Sequence, residues 1–142
     1  MNLSTTTKIT PWRSGLAAAL AATLLAGCAS LGGGTPEQIV AQRAAGYWKA
    51  RAAGDYVKAY SFSTPAYRKV NSAEKFRTQF GAGAAIHGGE AVKVDCEAEK
   101  CAARIKISAT PALLGLNLGT IATYLDEIWL LEDGQWWRYE DL

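Results

Sequence analysis

The chain reads as an α+β domain, because the spacing of its apolar residues changes part-way along. Up to Gly83 they recur at helical intervals; beyond it they alternate with polar residues, as in strands with one buried face. An Asp133-Gly134 pair between two apolar runs adds a tight hairpin. Three N-terminal helices packed on a curved antiparallel sheet of about four strands is the expected architecture.

Residues 1–27 have the pattern of an export leader. Lys8 and Arg13 form a basic start, and residues 16–26 are an unbroken run of small and apolar side chains. That run is about half of the roughly 20 residues a bilayer span requires. It ends in Leu25-Ala26-Gly27-Cys28, which resembles the bacterial lipobox. The resemblance implies that Cys28 is lipidated, since only a cysteine thiolate forms the required thioether. Ala29 follows in place of the aspartate that marks inner-membrane retention, so the resemblance implies the outer membrane, with the domain on its periplasmic face. Residues 28–34 then form the lipidated cysteine and a flexible tether, and residues 35–142 the folded domain.

Within the domain, Thr35-Pro36-Glu37-Gln38 has the makings of a capping box with Pro in the first turn. The helix it opens runs to about residue 53 with Ile39, Val40, Ala44, Tyr47 and Trp48 on one stripe. Gly54 ends it, Asp55 caps a second helix carrying Tyr56, Val57 and Tyr60, and Pro65-Ala66-Tyr67-Arg68 reads as a turn. Asn71-Ser72-Ala73-Glu74 opens a third, carrying Phe76 and Phe80. Among the strands, Val92, Val94 and Cys96 alternate with Lys93 and Asp95, and Ala103, Ile105 and Ile107 with Arg104 and Lys106. His87, beside Gly88 and Gly89, reads as a loop residue. Residues 121–132 and 135–141 form the closing hairpin. The leucine-rich stretch 112–119 reads either as a buried strand or helix, or as an apolar loop touching a partner or the membrane.

Cys96 and Cys101 flank a four-residue loop and face each other as the last pair of their ladder. In an oxidising compartment they are expected to form a disulfide. Its short loop contributes only about 2 kcal/mol, so its role is to hold the register of the hairpin.

Composition and charge exclude several functions. Fifteen basic residues against thirteen acidic give +2, but Lys8 and Arg13 account for that excess and the domain is formally neutral. Nucleic-acid binding, which needs a basic face, is not expected. His87 is the only histidine, and the pattern offers no metal site and no cofactor motif.

Ala-Ala-Gly-Asp at 52–55, the Tyr-rich second helix, the turn at 65–68 and the run from Ile128 to Trp137 together resemble the nuclear transport factor 2-like superfamily. This cone-shaped fold is shared with ketosteroid isomerase and SnoaL-like proteins. The resemblance implies a sheet wrapped around the long helix with a pocket at its open end. Residue by residue, Tyr47 stands where the isomerases place an oxyanion-donating Tyr, and Glu127 where they place a protonated Asp. Their base, a carboxylate after the second helix, has no counterpart, because residues 56–73 contain neither Asp nor Glu. Proton abstraction therefore lacks an acceptor. No catalytic residue is assigned, and a membrane-anchored, non-enzymatic binding or interaction module is expected. The alternative is a small-molecule-binding protein or degenerate enzyme using the cone.

Strand parity divides the closing hairpin into two faces. Leu131 with Trp136, Trp129 with Arg138 and Glu127 with Glu140 share one; Leu130 with Trp137 and Ile128 with Tyr139 share the other. The first face covers the helices or forms a pocket wall of Glu127, Trp129 and Arg138 opposite Tyr47, suited to a small apolar ligand. The second offers Trp137 and Tyr139 as anchors for a homodimer through the sheet or for an envelope protein.

Overall fold

A computed structural model describes residues 33–81, 84–112 and 119–141. The leader, Cys28, most of the tether and residues 113–118 of the leucine-rich stretch lie outside these residues. Among the described residues the elements in order are four helices, α1 (Pro36–Ala52), α2 (Tyr56–Tyr60), α3 (Pro65–Val70) and α4 (Ala73–Phe80), and four strands, β1 (Ala84–Glu97), β2 (Lys100–Pro111), β3 (Ile121–Glu132) and β4 (Gln135–Arg138). The strands form one antiparallel sheet in sequential order, curled into a half-barrel with α1 against its inner face.

Local chemistry explains each helix start. Thr35 and Gln38 close the capping box, Asp55 accepts from the Lys58 N–H, and Ser72 accepts from that of Lys75. The stretch expected to be a turn at 65–68 is instead the helix α3. Thr64 caps it by accepting from the Tyr67 N–H, and Pro65 at the first position has its φ preset for a helix. A cap and a Pro are the signals of a turn as well as of a helix start, and here the chain continues helically for six residues.

The sheet corrects the expected strand reading at three places. Two bulges interrupt β1, between Ile86 and Gly88 and between Ala91 and Lys93. His87 sits at the first, within a strand and not in a loop, and its Nε2 meets the Thr110 hydroxyl at 2.8 Å. The second bulge throws Val92 out of the apolar phase, leaving it 49% exposed, while Ala91 and Val94 turn inward. An extra residue in one strand shifts side-chain parity and bends that strand, which suits a sheet that must curl. At the C-terminal end, β4 stops at Arg138 and not at Asp141, although the Tyr139 N–H still donates to Ile128 O at 2.8 Å.

Cys96 and Cys101 are directly opposed in register and joined as a disulfide. The ladder continues one pair beyond them, to Glu97 and Lys100, because Ala98 takes a positive φ and closes a two-residue turn. At the other hairpin Asp133 and Gly134 both have positive φ, the type I′ geometry that matches strand twist.

The core lies between α1 and the inner sheet face. Val40, Ala44, Tyr47 and Trp48 from α1 meet Ala103, Ile105, Trp129 and Trp136, with Tyr67 and Phe76 closing one end. Trp48 packs closely on Gly89 of β1, where a Cβ would come within 2.6 Å of the indole ring. The outer edge of β4 is also covered. Arg138 N–H donates to Phe62 O at 2.8 Å and Thr64 N–H to Arg138 O at 3.1 Å, so residues 62–64 pair with it in parallel. That pairing removes an edge on which other chains would otherwise pair, and it brings Ser63 to the end of the closing hairpin.

The Trp48–Gly89 contact sets the distance of α1 from β1. Gly89→Ala is expected to force the indole aside and lower stability by about 1–3 kcal/mol, seen as a lower midpoint in urea unfolding. An unchanged midpoint would mean that the helix is free to ride further from the sheet.

Candidate functional site

Glu127 lies at the centre of the inner face, with a side chain that is wholly inaccessible. It sits on β3 between Leu125 and Trp129, and strand parity turns all three toward α1. Three donors from three elements converge on it. Trp48 of α1 donates to Oε1 at 3.1 Å, Arg138 of β4 donates to the same oxygen at 2.9 Å, and Trp129 of β3 donates to Oε2 at 3.2 Å. An isolated buried carboxylate costs several kcal/mol, and charge-assisted bonds of this kind are what make one tolerable.

Arg138 carries the arrangement onward. Its guanidinium stacks over the Tyr47 ring at 4.5 Å and its Nη1 donates to Glu140 Oε1 at 2.6 Å. That same oxygen accepts from the Ser63 hydroxyl at 3.0 Å. Burial works against the charge on Arg138, but Tyr47, Glu127 and Glu140 outweigh it and hold its pKa above the ordinary guanidinium value. For Glu140 the balance tips the other way: burial pushes its carboxyl above its ordinary 4.5, and Arg138 and Ser63 only partly offset that. Tyr47 is raised by burial in the same manner, against the pull of Arg138 and Arg51.

A second cation closes the adjoining end of the helix. Arg51 donates to Tyr47 Oη at 2.8 Å and to Phe80 O at 2.6 Å, and its guanidinium lies within 6 Å of the rings of Tyr47, Trp48, Tyr56 and Phe80. Arg43, one turn before Tyr47, lies over Phe62 and Trp137 in the same way. Cations packed against ring faces explain how two arginines can stand on the inner side of α1.

The structure thus brings Tyr47, Glu127, Trp129 and Arg138 together, as the hairpin parity implies, but as a packed polar cluster. Open space lies beside them. A cleft of about 420 Å³ is lined by Gln79 and Phe80 of α4, by residues 126–128 of β3 and by residues 138–141, with Glu127 buried behind its surface. Its lining is acidic, unlike the apolar pocket expected. Trp137 is likewise less free than expected: Arg68 lies over it at 4.7 Å, Arg43 at 5.4 Å, and its Nε1–H donates to Glu132 O. Tyr139 remains 44% exposed at the rim of the cleft.

Sequence reasoning did not single out Trp48, Ser63, Arg51 or Glu140 as site residues. Glu140 had a signal, since it shares a face with Glu127 and stands two residues from Arg138. Ser63 had none, because a parallel bridge between a helix–helix link and a distant strand leaves no local trace.

No family model matches this chain, and no curated protein matches it either. Among solved structures, it is similar to a SEC-C motif containing protein from Rhodopseudomonas palustris. The TM-score is 0.51 at 9% identity, over 72% of this chain and 83% of that one. It is also similar to TsrD from Streptomyces laurentii, with a TM-score of 0.49 and 21% identity over 70% and 83%. The first likeness, at 9% identity, shows a shared fold alone, an α+β arrangement with a curled four-stranded half-barrel.

Two substitutions separate the roles of the buried carboxylates. Glu127→Gln turns an amide N–H₂ toward converging donors and is expected to cost about 3–5 kcal/mol, read as a large drop in the urea midpoint. Glu140→Gln should do the opposite at neutral pH. A carboxyl whose folded pKa is raised stabilises the fold when protonated and loses that contribution as pH rises through the raised value. The variant is therefore expected to melt at or above the wild-type temperature at pH 7, and the difference to close as pH falls toward 4.5. A variant that melts lower at pH 7 would contradict this assignment.

Proposed function

We propose that this chain is a lipid-anchored, non-enzymatic binding domain of the bacterial cell envelope, built on a nuclear transport factor 2-like cone. The saturation of Glu127 carries this reading. In the isomerases that the sequence resembles, the corresponding acid donates a hydrogen bond to substrate. Here both oxygens of Glu127 already accept from Trp48, Trp129 and Arg138. Tyr47, the counterpart of the oxyanion donor, lies under Arg138 and accepts from Arg51. Glu127 is spent on holding the fold, Tyr47 is wholly buried, and residues 56–73 supply no carboxylate base. The neighbouring cleft is open to a ligand.

The anchor rests on the leader and lipobox-like tetrad, and Ala29 favours the outer membrane. Cys28 is the attachment point, and the glycine-rich tether keeps the domain close to the bilayer. Cell fractionation tests this directly. Wild-type protein is expected to sediment with outer membranes and take up labelled palmitate, whereas Cys28→Ser should do neither. Membrane retention of the Ser variant would overturn the anchor, and turnover of a β,γ-unsaturated ketone by the purified protein would overturn the non-enzymatic reading.

A further inference from the structure

Glu140, which lines the cleft beside the cluster, has one buried side-chain oxygen without a partner among the described residues. Glu140 is 7% exposed; its Oε1 accepts from Ser63 and Arg138, while its Oε2 is buried and accepts from nothing among the described residues. A buried acceptor left unmade costs roughly 1–3 kcal/mol, so a donor arriving in the cleft would remove a penalty already present. The charge of the lining identifies the donor. Asp126, Glu127, Glu140 and Asp141 border the cleft, against Arg138 within it and Arg104, which is held by Asp126. The site has an excess of negative charge even with both arginines counted.

We propose that this cleft binds an aliphatic polyamine, with one ammonium donating to Glu140 Oε2 and another meeting the acidic rim at Asp126 and Asp141. The assignment names a ligand class for the binding role proposed above and rests on that role. A bare divalent cation fits less well, since it requires six or more oxygens and Glu127 has given its oxygens to three donors. An anion would face the carboxylates directly. The hydrocarbon segments of a polyamine find apolar cover on Phe80 and Tyr139, whose ring faces also attract cations.

Spermidine titrated by calorimetry into the full-length protein in detergent micelles tests the assignment. Saturable binding is expected, weakened at least tenfold by Glu140→Gln, which puts an N–H₂ in place of the unmet acceptor oxygen, and weakened less by Asp141→Asn. Glu97→Gln, an exposed carboxylate on the far hairpin, should bind as wild type does. A thermal melt of each variant confirms that the folded protein is being compared. No saturable binding to wild type, or equal affinity in Glu140→Gln, would overturn the polyamine assignment and leave the anchored binding role to stand or fall on fractionation. Spermidine recovered chemically changed would overturn the non-enzymatic reading instead.

Discussion

One wholly buried carboxylate organises this domain. Glu127 joins α1 through Trp48, its own strand through Trp129 and the closing strand through Arg138. Each partner is needed because the charge has no access to water, and removing any one leaves the others around an under-bonded acid. The geometry that satisfies Glu127 also fixes Arg138 over Tyr47, and with it the orientation of the helix on the sheet.

The same constraint determines where an unmet hydrogen-bond acceptor appears. Arg138 is shared between two acids, its Nε going to Glu127 and its Nη1 to Glu140, and Glu127 has two indoles besides. Glu140 is left with one arginine nitrogen and a serine, and with one oxygen unmet among the described residues. Ser63 is available only because residues 62–64 cover the edge of β4. Covering a sheet edge, burying an ion pair and shaping a cleft are therefore one structural solution. The arginines of α1 extend it: Arg43 and Arg51 stack on aromatic rings, so the inner side of this helix is lined by rings and cations and not by aliphatic residues alone.

The sequence made the helix starts and the closing hairpin legible, because both are encoded locally. Capping residues stand three positions from the N–H groups they satisfy, and Asp133-Gly134 sets the register that opposes Trp129 to Arg138 and Leu131 to Trp136. The disulfide was legible for the same reason. Features that depend on distant partners were not. Val92 follows the alternation of its neighbours, and only the pairing of β1 with β2 reveals the bulge that turns it outward. Pro65 announces a turn and a helix start alike. Glu127, Trp129 and Arg138 could be placed on one face from parity, and Tyr47 opposite them through the family resemblance, but neither says whether facing polar groups enclose space or fill it. That depended on Trp48 reaching across to Glu127 and on Ser63 reaching Glu140, contacts spanning 79 and 77 residues.

The central claim is that the Glu127 cluster is the most tightly held part of the fold, and the two indole N–H groups that meet it report on this directly. Hydrogen exchange followed by NMR at Nε1 of Trp48 and Trp129 is the decisive measurement. Both protons are expected to exchange only through global unfolding, with the protection of the most stable core amides. Exchange of either indole through local opening, orders of magnitude faster than those amides, would show that the carboxylate does not hold helix and sheet together.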